Sequence, residues 1–266
     1  MEHATRAPVL CLHGMFAGTW AFEQLMPMIA ARGYPTSALA FRGHPPNDAL
    51  SGIGGVSLLD YLEDASVAAG RLGRPIVIGH SMGGLVALML AARNLVRAAV
   101  LVSPAPPRGI PIFSPPLLAR MARYLPALMR SRPFIASDAD FDALVLNAVP
   151  SADRAAIRAR MVPDSGRAAR QIAIGMFPVD AKDIHVPVLI TGSEFDRFIP
   201  VGIARRMARR YNVALHVAQN HGHFLFGEPG WRDHANVMLN WIDALPHDIR
   251  DASPPSSTAA HTPLNA

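Results

Sequence analysis

The chain is expected to fold as an α/β protein: a mostly parallel sheet of about six strands, flanked by helices, with a helical cap inserted after the fourth strand. Three observations predict this. Short apolar runs alternate with longer stretches whose apolar residues recur every three or four positions. The apolar runs are continuous rather than alternating, as in strands covered on both faces. The alternation is interrupted once, by a Pro-punctuated segment of mostly helical pattern, and then resumes.

In chain order, "PVLCLHG" (8–14) reads as the first strand, and "FEQLMPMIAARGY" (22–34) as a helix stopped at Gly33. "TSALAF" (36–41) is the second strand and "LLDYLEDASVAAGRLG" (58–73) the next helix. "PIVIGH" (75–80) is the third strand, "GGLVALMLAARN" (83–94) a helix, and "RAAVLVSP" (97–104) the fourth strand. After the interruption come the strand "PVLITGS" (187–193), a helix over 201–211, the strand "VALHVA" (213–218) and a last helix near 231–245. The expected organisation is a core of residues 1–103 and 181–246, a cap over 104–180, and an unstructured tail over 247–266, where Pro, Ser, Thr and Ala dominate without periodicity.

Composition excludes several classes. The 266 residues are half hydrophobic and can bury a substantial core. The net charge is +5, yet Lys182 is the single lysine and the arginines are scattered. The densest basic run, "ARRMARR" (204–210), fits a solvated helix face with Met207 turned inward. No basic-aromatic interleaving and no zinc-spaced Cys/His set points to nucleic acid or a metal. Cys11 is the lone cysteine, so no internal disulfide forms, and its apolar strand makes it a small buried hydrophobe. The N-terminus enters a strand almost at once without an apolar signal region, and no apolar run reaches membrane-spanning length. A cytoplasmic protein without a membrane span is therefore expected.

The chemistry is suggested by "IVIGHSMGG" (76–84), an apolar strand running into a serine fenced by glycines. Gly79-His80-Ser81-Met82-Gly83 fits G-x-S-x-G, a tight strand-to-helix turn that lifts a serine hydroxyl out of the sheet. The pentapeptide alone is weak evidence, and Ser81 would serve equally as a helix cap. Partners further along strengthen the catalytic alternative. "ITGSEFDRFIP" places Asp196 just past a strand end, and "QNHGHFLFGEPG" places His223 just past the next. Strand ends of a parallel sheet converge on one edge, where open α/β sheets bind ligands. A serine there needs a base to take its proton and donors for the oxyanion that its attack creates.

At this point the sequence resembles the α/β-hydrolase family over about residues 8–245. "LHGMFAGTW" is similar to the family's His-Gly oxyanion loop, "GHSMGG" to its nucleophile elbow, "GSEFDRFIP" to its acid loop, and "HGHF…EPG" to the segment around its histidine. The resemblance implies Ser81 as nucleophile, His223 as base, Asp196 as the acid that orients it, and the backbone N–H groups of Met15 and Met82 as the oxyanion hole. Within those loops His221 competes with His223, and Glu194 with Asp196; the family pattern selects His223 and Asp196. His13 and His80 are expected to satisfy nearby backbone, and Arg42 and His44 of "FRGHPP" to brace loops. Ala40 stands where the family commonly has an acid before that turn. The opening is also similar to small plant methylesterases and hydroxynitrile lyases, which implies a sheet lacking two early strands.

A serine at the elbow argues against the family's carboxylate-based halide and epoxide chemistry. Lys182 precedes the fifth strand, the wrong end of the sheet for lyase chemistry. The expected activity is a serine esterase acting through an acyl-enzyme on apolar or aromatic small-molecule esters, with no cofactor and no metal. Thioester, lactone and C–C bond hydrolysis use the same triad and stay open, as do ligand binding without turnover and cofactor-free oxygenation. Phe16, Met121, Phe134 and Phe177 are the expected pocket residues, with Met129, Met161, Met176 and Phe141 as further candidates from the cap.

Overall fold

A computed structural model describes residues 6–47, 51–112 and 115–251. Eight strands occur among them: β1 (Val9–Leu12), β2 (Thr36–Leu39), β3 (Ile76–His80), β4 (Ala98–Val102), β5 (Pro133–Phe134), β6 (Asp164–Ser165), β7 (Val188–Ser193) and β8 (Ala214–Ala218). Six form one sheet in the order β2-β1-β3-β4-β7-β8, and every pairing in it is parallel. All six lie within the segments expected from sequence. The chain leaves β1 toward one edge, then returns to place β3 on its other side. The sheet therefore has a switch point between β1 and β3, where a crevice opens at the carboxyl ends of the strands.

Alternation along the strands splits the core into two layers. Leu10, Leu12, Val77, Leu101 and Ile190 face helices α2 (Leu58–Arg71), α3 (Met82–Ala92) and α9 (Val201–Tyr211). Val9, Cys11, Ile78, Val100 and Leu189 face α1 (Leu25–Ala31) and α10 (Trp231–Asp243). The central strands β1, β3, β4 and β7 are buried throughout, whereas the edge strands β2 and β8 are partly exposed. Cys11 is a free, buried thiol.

Local chemistry sets the helix bounds. Ser57 and Asp60 form a reciprocal capping box at the start of α2. Helix α3 is apolar around its whole circumference, and Met82 through Ala91 are all buried, the expected fate of such a helix. In α9 the basic run lies outward as expected: Met207 and Ala208 are buried while Arg205, Arg206 and Arg209 are exposed. Asn212, left-handed at φ 50°, ends that helix.

The span 104–180, expected as a cap, contains the helices α4 (Pro115–Met121), α5 (Leu125–Met129), the short α6 (Asp138–Asp140), α7 (Ser151–Arg158) and α8 (Gly166–Ala173). It also contains a π-helical turn, Phe141–Val145, and the antiparallel pair β5–β6, neither of which periodicity reveals in such short segments. Residues 247–251, expected to belong to an unstructured tail, are ordered instead. His247–Arg250 form α11, Ala7 N–H donates to the Arg250 carbonyl at 2.9 Å, and Arg6 bridges to Asp251. The rest of the tail expectation falls on 252–266, outside the described residues. Among the described residues no helix is long and apolar enough to cross a membrane.

Candidate active site

Close packing makes the elbow glycines obligatory. A Cβ on Gly79 would stand 2.2 Å from the Gly83 carbonyl oxygen, and one on Gly83 would stand 2.1 Å from the Leu12 carbonyl oxygen. The turn between β3 and α3 therefore wedges against the end of β1. Ser81 sits at its apex at φ 54°, ψ −117°, a conformation that costs a non-glycine residue roughly 1–3 kcal/mol and persists only where the surroundings enforce it. Its N–H is anchored to the Val102 carbonyl at 2.9 Å. Its side chain makes no capping bond to α3, so the helix-cap alternative for Ser81 fails on geometry.

Asp196, in the turn after β7, is buried with both carboxylate oxygens engaged. Oδ1 accepts the N–H groups of Phe198 and Ile199 at 2.9 and 2.7 Å. Oδ2 accepts His223 Nδ1–H at 2.8 Å. His223, after β8, is also buried and shares with Ser81 the lining of one cavity. Among the described residues no hydrogen bond joins Ser81 to His223; such contacts commonly tighten only around a substrate.

The rival residues are placed elsewhere. Glu194 is exposed and accepts the Asn220 N–H at 3.0 Å, fastening the turn after β8. His221 Nδ1 donates to the Gln219 carbonyl at 2.6 Å, and its ring stands edge-on to His234 with centroids 4.4 Å apart. Neither lines the cavity.

The two flanking histidines have the bracing positions expected of them. His13 Nδ1–H donates to the Gly14 carbonyl at 2.8 Å, and Nε2 accepts the Phe41 N–H at 3.3 Å. His80 Nε2–H donates to the His223 carbonyl at 2.8 Å. Burial pushes both imidazoles down to about 3, so each is neutral. Arg42 pairs with Asp64 and Glu63, pinning its turn to α2, and His44 bonds Asp164 of the 104–180 segment.

Ser81 lines a predominantly apolar cavity of about 110 Å³, walled in part by residues of the 104–180 segment. Of the expected lining residues, Phe16, Met121 and Phe134 are there, with Met161 and Phe141. Phe177 is not. It follows α8 on the chain's way back to the sheet, packs against the α2–α3–α9 layer, and its carbonyl accepts the Arg108 N–H. Met129 is exposed and Met176 also stands outside the lining. Met15 and Met82 both line the cavity, and among the described residues neither backbone N–H is paired with a protein acceptor.

Three buried carboxyl groups near the site escape sequence reasoning, and one of them, Asp140, lines the cavity and pairs with Arg120. Glu228 accepts the Gly222 N–H at 2.7 Å, bracing the His223 loop, and burial pushes its carboxyl above the usual range. Asp164, from the 104–180 segment, binds Phe16, His44 and Tyr61. Glu228 carried a signal, since it belongs to the "HGHF…EPG" block; Asp164 lies in "VPDSGR", which carries none.

A family model described as "Alpha/beta hydrolase family" matches residues 9–232. A monoacylglycerol lipase from Mycolicibacterium smegmatis is 27% identical over 253 residues, covering 89% of this chain and 88% of that protein. A pyrethroid hydrolase from Sphingobium wenxiniae is 29% identical over 102 residues, 37% of this chain and 35% of its own. Among solved structures, a monoacylglycerol lipase from Paleococcus ferrophilus superposes with a TM-score of 0.70 at 21% identity, covering 90% of this chain and 98% of that one. A methylesterase from Arabidopsis gives 0.70 at 14% identity, covering 89% and 99%. With six parallel strands, a serine elbow at the switch point and a family match across most of the sequence, the chain belongs to the alpha/beta hydrolase family.

Proposed function

We propose that the protein is a serine hydrolase that cleaves carboxylic esters bearing an apolar or aromatic group. The single observation that carries this reading is the buried 2.8 Å hydrogen bond from His223, which lines the same cavity as Ser81, to Asp196. In this reading Ser81 Oγ attacks the ester carbonyl and His223 takes its proton. Asp196, held by two backbone N–H groups, keeps Nδ1 protonated and stabilises the imidazolium that forms. The oxyanion is received by the Met15 and Met82 N–H groups, the latter at the N-terminus of α3, where the helix dipole also favours negative charge. His223 then returns the proton to the leaving alcohol, and water attacks the acyl-enzyme by the same route in reverse.

The substrate class follows from the lining. Met121, Leu128, Phe134, Leu144 and Met161 offer an apolar surface to an acyl chain or ring and few polar groups to orient a charged one. Relatives and structural neighbours named monoacylglycerol lipase, methylesterase and pyrethroid hydrolase agree with an ester substrate.

A chain-length series of p-nitrophenyl esters tests the proposal. Saturable hydrolysis by the wild type, with loss of turnover and of fluorophosphonate labelling in Ser81→Ala, is the expected result. Labelling at Ser81 without turnover of any simple ester would move the reading to a thioester, lactone or C–C substrate. Neither labelling nor turnover would remove it.

A further inference from the structure

Phe16 immediately follows Met15, and the cap holds it at three points. Its N–H donates to Asp164 Oδ2 at 2.8 Å. Its carbonyl accepts the Val162 N–H at 2.9 Å. Its ring meets Phe134 and Phe141 edge-on, with centroids 5.1 and 5.4 Å away. Phe16 has φ 64°, a left-handed conformation that is uncommon for a residue of this kind. A short loop in such a conformation needs something to hold it, and the bonds that do so come from residues 162–164.

Asp164 is completely buried and accepts four hydrogen bonds. Oδ2 takes Phe16 N–H and His44 Nε2–H, the latter at 3.0 Å; Oδ1 takes the Tyr61 hydroxyl at 2.7 Å and the Ser165 N–H at 2.6 Å. The hydrogen-bond roles also fix the charges. His44 Nδ1 faces the Arg42 carbonyl at 3.2 Å, and a carbonyl can only accept, so both ring nitrogens carry protons. His44 is then the cation that balances Asp164. His13, 5.0 Å from His44 between ring centroids, has one donating and one accepting nitrogen and is neutral. A carboxylate suits this place because each oxygen serves two donors. An amide of the same shape would turn its NH₂ toward one of those donor pairs.

We propose that Asp164 is a positioning residue: from the cap it fixes the Phe16 peptide and so aims the preceding Met15 N–H into the cavity, making the oxyanion hole complete only while the cap is seated. The inference deepens the hydrolase reading and rests on it.

The full-length Asp164→Asn variant tests it, with kcat and KM measured on p-nitrophenyl butyrate beside the melting temperature. The expected result is a fall in kcat of about 10²-fold or more, as for a lost oxyanion donor, with KM little changed. Affinity for a trifluoromethyl ketone, whose adduct with Ser81 places an oxyanion in the hole, should fall in parallel. A kcat loss that only tracks the folded fraction, or a rise in KM at constant kcat, would overturn the proposal. Should Asp164→Asn fail to fold, hydrogen exchange at the Phe16 amide of the wild type decides. Slow exchange with and without the ketone is expected, and exchange at the rate of an open loop would overturn it. A wild type that neither labels at Ser81 nor turns over esters would instead remove the hydrolase reading, a failure that Phe16 exchange does not mimic.

Discussion

His80 donates its Nε2–H to the main-chain carbonyl of His223 at 2.8 Å, so the residue before the elbow serine holds the backbone of the candidate base. The two imidazoles lie 4.9 Å apart between centroids, and burial keeps His80 uncharged. In the proposed mechanism a second cation there would oppose the imidazolium charge that Asp196 is to stabilise.

Replacing His80 should therefore act on turnover more than on binding. His80→Phe fills similar space but removes the donor, freeing the His223 loop to shift. A displacement of about 1 Å costs about 10²-fold in rate. Steady-state kinetics on p-nitrophenyl butyrate should show that loss in kcat with KM nearly constant. A KM-dominated effect would count against the bracing role.

Asp196→Asn addresses the other side of the imidazole. Oδ1 is committed to the Phe198 and Ile199 N–H groups, so the amide NH₂ would turn toward His223 Nδ1. That nitrogen would become an acceptor and Nε2 would carry the proton, the wrong tautomer for a base. The equivalent change in a serine protease lowers kcat about 10⁴-fold. Fluorophosphonate labelling of Ser81 should slow correspondingly, while the melting temperature moves little.

How much of this was legible in the sequence depends on how far apart the cooperating residues lie. The six strands were readable because each is a short, continuously apolar run between turn signals. The elbow was readable because its serine and glycines fall together in one nine-residue stretch after an apolar run, although the contacts that force Gly83 and Gly84 come from Leu12, His13 and Pro104. That Asp196 and His223 would be neighbours was readable because a parallel sheet brings successive strand ends to one edge. The Asp164 knot was not: its partners Tyr61, His44 and Phe16 lie 103, 120 and 148 positions away, and no periodicity links them. Phe177 shows the same limit from the other side. An aromatic in an apolar cap segment has two cores to join, and only the path of the chain after α8 decides between them.

The elbow can be tested for packing apart from chemistry. A methyl on Gly83 would meet the Leu12 and His13 carbonyl oxygens at 2.1 and 2.6 Å, backbone atoms that cannot step aside. Gly83→Ala should destabilise by more than the roughly 1–3 kcal/mol typical of overpacking, read as a lower urea midpoint or insoluble expression. Gly70, exposed in α2 with nothing within 4 Å of its Cβ position, is the contrast. Gly70→Ala should stabilise by about 0.5–1 kcal/mol.

Cavity shape should set chain-length preference. Ala136 and Ala173, both in the 104–180 segment, line the cavity. Ala173→Phe would occupy room otherwise open to an acyl chain. The expected outcome is a lower kcat/KM for octanoate than for acetate esters relative to the wild type, by about 10-fold or more, since each excluded methylene is worth roughly 1 kcal/mol or more. An unchanged ratio would mean that acyl chains leave the cavity by another path.

Stability should fall steeply on the acid side, and the sign follows from the buried histidines. His13 and His80 are held down to about 3 in the folded protein by burial, against an ordinary value of 6.5 when unfolded. Between those values the unfolded chain binds protons that the folded chain refuses. Stability from these groups is thus present above the unfolded value and lost as pH falls toward the folded one. Each contributes a slope of about 1.4 kcal/mol per pH unit across that window. His44 acts in the opposite sense: burial pulls its pKa down, but the Asp164 hydrogen bond and charge outweigh it and leave the value raised. Its contribution is present at low pH and fades as pH rises through that raised value. Urea midpoints from pH 4 to 7 should rise with pH. The same series on His80→Phe should have a shallower acid limb by one histidine's share. An acid limb of undiminished slope in the variant would show that His80 takes up its proton in the folded state.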